Sequence, residues 1–82
     1  FAGRFAAKEA VMKALKSSGI NKPISFSSIE VLSKNSGEPE VNLHLEYEGH
    51  CKVSISHTQN HAIASAICII EWVFYVMNFI NY

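Results

Sequence analysis

The stretch Arg4-Phe5-Ala6-Ala7-Lys8-Glu9-Ala10-Val11-Met12-Lys13-Ala14-Leu15 sets the fold. It consists almost entirely of Ala, Leu, Met, Lys, Glu and Arg, the residues that lose least on entering a helix. Gly19 stands just past the last periodic residue, where a helix stop belongs. At about 100° per residue the helical wheel has three faces. Phe1, Phe5, Met12 and Leu15 share one, which reads as core. Ala6, Ala7, Ala10 and Ala14 make a small-residue face, where another backbone can approach closely. Glu9, Lys13 and Lys16 fall within about 60° of one another on a third. Lys8 lies apart from them, beside the stripe of large residues, and either snorkels past the core or points into a site.

Downstream the periodicity changes. Residues 17–23 are rich in breakers and read as a loop. Residues 24–32 carry β-branched and aromatic side chains and predict a strand, and 33–39 predict a turn with Gly37 and Pro39 placed for it. Val41, Leu43, Leu45 and Tyr47 alternate with Asn42, His44, Glu46 and Glu48, the pattern of a half-buried strand with a wet outer face. Gly49-His50 is a short turn, and 52–57 a strand with Val53 and Ile55 on one face and Ser54 and Ser56 on the other. After a turn at 58–61, residues 62–70 are apolar on both faces and predict a strand buried on both sides. One helix followed by strands on short turns gives an α+β fold with a mainly antiparallel sheet.

The chain has 82 residues, enough for one small domain. It is 49% hydrophobic and only 17% charged, which points to an oligomer interface or a membrane contact. The net charge is zero, which argues against a nucleic-acid binder that relies on bulk phosphate attraction. There is no Asp, so a site needing two carboxylates must use Glu or draw on residues beyond this segment. Cys51 and Cys68 occupy unlike settings with no Cys-x-x-Cys, so reduced buried thiols are expected rather than a disulfide framework. The start has no signal-peptide pattern. It begins with Phe in an already helix-like run, so an upstream part is expected.

Glu9 and Lys13 have two readings. One is an i,i+4 surface ion pair, worth about 0.3–0.5 kcal/mol. The other puts the carboxylate on a divalent metal with ammonium groups on phosphates; magnesium takes one or two carboxylates and fills its shell with phosphate oxygens and water. His50, Cys51, His57 and His61 are close enough in sequence to suggest zinc, but His57 and His61 flank a turn rather than share a helix. Ser56 beside His57 hints at acyl transfer, yet adjacent strand residues point to opposite faces. Tyr47 reads as sheet packing.

Phe1-Ala2-Gly3-Arg4-Phe5-Ala6-Ala7-Lys8-Glu9-Ala10-x-x-Lys13-Ala14 resembles the signature helix of the holo-[acyl-carrier-protein] synthases, which are 4′-phosphopantetheinyl transferases. Residues 24–31 are similar to the strand that follows it. Gly37-Glu38-Pro39 stands where the family usually has Gly-Lys-Pro. Val53-Ser54-Ile55-Ser56-His57-Thr58, with the Ala-rich strand after it, resembles the family's last strand pair. The resemblance covers roughly residues 1–71 and implies a transferase domain, N-terminally incomplete, with 72–82 as an apolar C-terminal tail.

It further implies transfer of the 4′-phosphopantetheine arm of coenzyme A to a serine of acyl carrier protein, as in fatty-acid biosynthesis, with magnesium. By resemblance Glu9 is the metal carboxylate, and Lys13 lies next to the pyrophosphate and handles a proton. Arg4 and Lys8 lie close to the coenzyme's phosphates. Ser56 and His57 line the coenzyme site, with His57 near the nucleotide 3′-phosphate and Ser54 in the same role. A homotrimer with sites between subunits and a cytoplasmic or organellar (plastid-type) location are also implied.

Two departures stand out. The family's metal-binding Asp, in a Gly-x-Asp-Ile strand, is missing, as is the helix that meets the carrier protein. The aromatic, uncharged run 72–82 continues where family chains of this branch usually end; it reads as an extra strand, an interface tail or half of a membrane span. The alternatives to an active enzyme are therefore an inactive fragment keeping part of a coenzyme A surface, or a small protein anchored through 62–80. The second puts Glu71 near mid-membrane, at a cost of about 3 kcal/mol.

Overall fold

The computed structural model describes residues 2–70 and 73–81, with side chains for 3–69. Phe1, Glu71, Trp72 and Tyr82, and the side chains of Phe74, Tyr75 and Phe79, therefore lie outside the description. The chain forms helix α1 (Ala2–Ser17), a 3₁₀ turn (Phe26–Ser28) and strands β1 (Ile29–Ser33), β2 (Pro39–Leu43), β3 (His50–His57), β4 (Ala62–Ile70) and β5 (Val73–Asn81). β1 and β2 pair antiparallel, and β3, β4 and β5 form a second antiparallel sheet with β4 in the middle. This is the expected α+β architecture. α1 packs across β4 and β5 and also touches β3 and β1.

The helix stops as its sequence requires. The Ser18 amide donates to the Ala14 carbonyl at 3.0 Å, and Gly19, at φ 100°, donates to Lys16 at 3.2 Å. A side chain at that φ is strained, and glycine is not. The β1–β2 hairpin closes through Lys34, whose amide donates to Glu38 and whose carbonyl accepts from Gly37, both at 2.8 Å, with Gly37 at φ 91°.

The core is not the one the helical wheel suggests. Ala6, Ala7, Ala10, Val11, Ala14 and Leu15 are wholly buried, together with Ile29, Ala64, Ala66 and Cys68. Phe5 is 47% exposed and Met12 only half-buried. The alanine stripe of α1 meets the alanine stripe of β4, and small side chains on both let the two backbones come close. Leu15 is buried as the wheel suggests, with Val11 and Ile29, while Phe5 and Met12 lie at the edge. β4 is likewise not buried on both sides: Ala62, Ala64, Ala66 and Cys68 face α1, while Ile63 and Ile67 on the other face are each 37% exposed.

Three strand boundaries move. Residues 24–28 are not extended throughout, because the serines bond locally: the Ser28 amide donates to the Ser25 carbonyl at 2.9 Å, and the Ser25 and Ser27 hydroxyls pair at 2.7 Å. Such local bonds compete with a ladder. β2 ends at Leu43 because its partner β1 begins at Ile29, opposite it. Beyond that point Leu45 and Tyr47 remain half-buried and Glu46 and Glu48 exposed, so the wet-face pattern outlasts the strand. β3 starts at His50, inside the expected turn. Residues 62–70 and 73–81 are strands, and among the described residues no helix is long and apolar enough to cross a membrane.

Candidate active site

The start of α1 meets the end of β3. A Cβ built on Gly3 would stand 2.6 Å from His57 Cε1, 2.9 Å from His57 Nε2 and 3.1 Å from Ile55 Cγ2. Glycine is what permits this approach. Arg4, the next residue, and His57 then line one cleft with Gly3, Ile55 and the β1–β2 hairpin residues Ser33, Gly37 and Pro39. Guanidinium and imidazole at one place suit an anion.

Arg4 also borders a second cleft with Lys8, Glu30 and His44. Lys8 Nζ lies 4.4 Å above the Phe26 ring, which itself contacts Phe5 at 5.4 Å between centroids. Such a cation–π contact is worth about 0.5–1 kcal/mol at an exposed site. Lys8 thus borders the cleft while its ammonium rests over an aromatic ring. Glu30 pairs with His44 Nε2 at 3.0 Å, and that hydrogen bond, first among the causes, holds its carboxyl below the usual carboxylate value.

The remaining candidates do not join this cleft. Glu9 is half-buried and Lys13 exposed, and on the wheel Glu9 stands about 140° from Arg4. The buried alanines separate an Arg4/Lys8 flank from a Glu9/Lys13 flank. Ser54 and Ser56 are opposite Ser65 and Ile63, exposed on the sheet face away from α1, whereas His57 reaches the helix side. Ser54 instead borders the groove between β2 and β3. His50 and His57 stand at the two ends of β3. Among the described residues no three of His, Cys, Asp and Glu gather to hold a metal ion. Glu9 thus offers a single protein carboxylate. That fits magnesium completed by water and phosphate oxygens, and does not fit a cage of protein ligands.

Three contributors were not singled out from the sequence. Gly3 left a weak signal, since glycine near the start of a strong helix is costly without a reason. The Lys8–Phe26 and Glu30–His44 contacts join residues far apart in sequence and left none.

Comparison with known proteins follows the same residues. The family described as the 4′-phosphopantetheinyl transferase superfamily matches residues 1–67. Proteins named holo-[acyl-carrier-protein] synthase are similar over this segment. That of Chlorobaculum parvum is 49% identical over 67 residues, covering 80% of this chain and 56% of the relative. The Chlorobaculum tepidum protein is 48% identical with the same coverage. The Halalkalibacterium halodurans protein is 47% identical over 66 residues, covering 80% and 53%. The chain therefore spans about half the length of the curated relatives it matches. No solved structure matches.

Proposed function

This chain belongs to the 4′-phosphopantetheinyl transferase superfamily, and on that footing we propose that it is part of a holo-[acyl-carrier-protein] synthase, with residues 1–71 as the transferase part. The reaction is attack by a carrier-protein serine on a phosphorus of the coenzyme A pyrophosphate, with adenosine 3′,5′-bisphosphate leaving. Charge on phosphoryl oxygens is the obstacle, so cations around the pyrophosphate are the solution. The observation that carries the reading is the Gly3–His57 contact. It joins the helix bearing Lys8-Glu9-x-x-x-Lys13 to the strand bearing Ser-x-Ser-His-Thr, the two stretches that resemble the family most.

In this reading Arg4 and His57 hold the 3′-phosphate of the nucleotide where α1 meets β3. Lys8 approaches the coenzyme's pyrophosphate from the second cleft. Magnesium, when bound, supplies positive charge at the pyrophosphate, with Glu9 as its protein carboxylate. Lys13, one turn from Glu9, balances charge on the transferred phosphoryl group and handles a proton during transfer. Because Arg4/Lys8 and Glu9/Lys13 lie on opposite flanks of α1, a site gathering both sets draws them from different protomers. A homotrimer supplies that arrangement, and the exposed Ile63 and Ile67 give it an apolar contact face. Fatty-acid biosynthesis is the pathway.

The test is Glu9→Gln in the full-length protein, read as the mass gain of apo carrier protein. Loss of a charge-stabilising group of this kind costs about 100-fold or more, and that loss of magnesium-dependent transfer is expected with an unchanged circular dichroism spectrum. Unchanged turnover removes Glu9 from the site. Coverage of only about half of the relatives favours a second reading, a non-catalytic segment that keeps part of the coenzyme surface. Coenzyme A binding to this chain with equal affinity with and without magnesium, and no holo product, supports it.

A further inference from the structure

The sequence places Cys51 and Cys68 in unlike surroundings, but the fold sets them face to face. They are direct Cα partners in the β3–β4 ladder. Both are free and buried, 6% and 0% exposed, in the core beneath α1. Opposed residues of an antiparallel ladder share a face, with Cα atoms about 4.5–5.5 Å apart; a disulfide spans roughly 4.4–6.8 Å. We propose that Cys51 and Cys68 are a redox-modification site, a core dithiol that peroxide converts reversibly to a cross-strand disulfide.

A route to the pair exists. Cys51 lines the groove between β2 and β3, together with Lys34, Glu40, Lys52 and Ser54. Peroxide is close to water in size and enters where water does. Cys68 lies directly behind Cys51 as its ladder partner. The hydrogen bond from the Cys51 thiol lowers the Cys68 thiol from its usual value against the effect of burial. The same bond, and then burial, push the Cys51 thiol up.

The chemistry balances with one peroxide. One of the two sulfurs, as thiolate, attacks a peroxide oxygen, the O–O bond breaks, and hydroxide leaves, giving a sulfenic acid. The other sulfur then attacks that sulfur and the S–O bond breaks. The two departing hydroxides take up the two thiol protons. Two thiols and one peroxide become one disulfide and two waters, and a reducing thiol reverses the change.

The full-length protein is treated with hydrogen peroxide, quenched with catalase, unfolded, alkylated with N-ethylmaleimide and digested, and the peptides bearing Cys51 and Cys68 are weighed. The expected product is those two peptides joined, lighter by two hydrogens and without alkyl adducts, and dithiothreitol restores one adduct to each. Two adducts at a peroxide dose that oxidises free cysteine, oxygen adducts without the link, or a disulfide-bonded dimer overturns the proposal. In glutathione buffers the folded chain is expected to hold the link at a ratio about ten-fold more reducing than the same chain in urea. Equal ratios mean that the fold does not position the pair, and also overturn it. Both measurements use the unmodified chain, so no variant has to fold.

Discussion

Under α1 the molecule is packed without slack, whereas between its two sheets it is open. The seam sets Ala6, Ala7, Ala10 and Ala14 against Ala64, Ala66 and Cys68, all wholly buried. The groove between β2 and β3 is lined by exposed Lys34, Glu40, Lys52 and Ser54 and by half-buried Val41, Val53 and Ile55, with buried Cys51. The seam works because neither side has bulk: two backbones approach, and every atom that leaves water gains a neighbour. The groove's charged rim keeps its hydration. Arg4 and His57 stand at the seam's end, so the seam rather than the groove fixes the candidate site.

The strongest way to break this contrast is to thicken the seam. Ala10→Leu adds three carbons where there is no space, and overpacking of this kind costs about 3 kcal/mol. For a chain this small that lowers the melting temperature by on the order of 15 °C. A drop under about 4 °C in a thermal melt would show the seam to be looser than its burial states.

Tyr47 probes the seam's edge. Its hydroxyl is buried with no hydrogen bond among the described residues, and Ser18 and Cys68 are its polar neighbours. Removing an unpaired buried hydroxyl is neutral or stabilising, so Tyr47→Phe is expected to raise stability by up to about 1 kcal/mol in urea unfolding. Burial pushes the Tyr47 ionisation up to about 12 from 10.0. The unfolded chain then loses this proton first, so stability falls as pH rises from 10.0 toward about 12. Tyr47→Phe should flatten that alkaline arm, and an unchanged slope would mean that Tyr47 titrates alike in both states.

Gly3→Ala separates packing from positioning. The nearest atoms to the new methyl belong to the end of the His57 side chain, which can swing away. The helix gains roughly what the contact loses, so stability should stay within about 1 kcal/mol. The His57 ring signals in the NMR spectrum should move, and coenzyme A affinity should weaken. Unmoved ring signals would detach His57 from the start of α1.

The smallest effect is expected at the exposed Glu30–His44 pair. The hydrogen bond from His44 lowers the Glu30 carboxyl, so its contribution is present above the unfolded value and fades as pH falls through the folded one. His44→Ala should raise the Glu30 titration midpoint in carboxyl NMR and leave the melting temperature at neutral pH unchanged. A clear fall in that temperature would give the pair more weight than an exposed contact carries.

Much of the fold was legible because local chemistry dictated it. Gly19 and Gly37 marked chain reversals that need positive φ, and the alternation at Val53–Ser54–Ile55–Ser56 survived in β3. The site was legible in part. Arg4, Lys8 and His57 converge at two adjoining clefts. Glu9 and Lys13, the strongest pair on paper, stand on the other flank, and Ser54 and Ser56 face away from α1. Whether residues share a flank follows from spacing, but which flanks meet does not.

By itself the sequence determined the helix, its stop, the order of the strands and the family, because these rest on torsional preference, side-chain period and short motifs. Tertiary structure alone decided that alanine rather than phenylalanine fills the core, that Ser25 to Ser28 curl out of the strand, and that Cys51 meets Cys68. Each of these depends on how closely two distant backbones approach, which single-residue preferences do not encode.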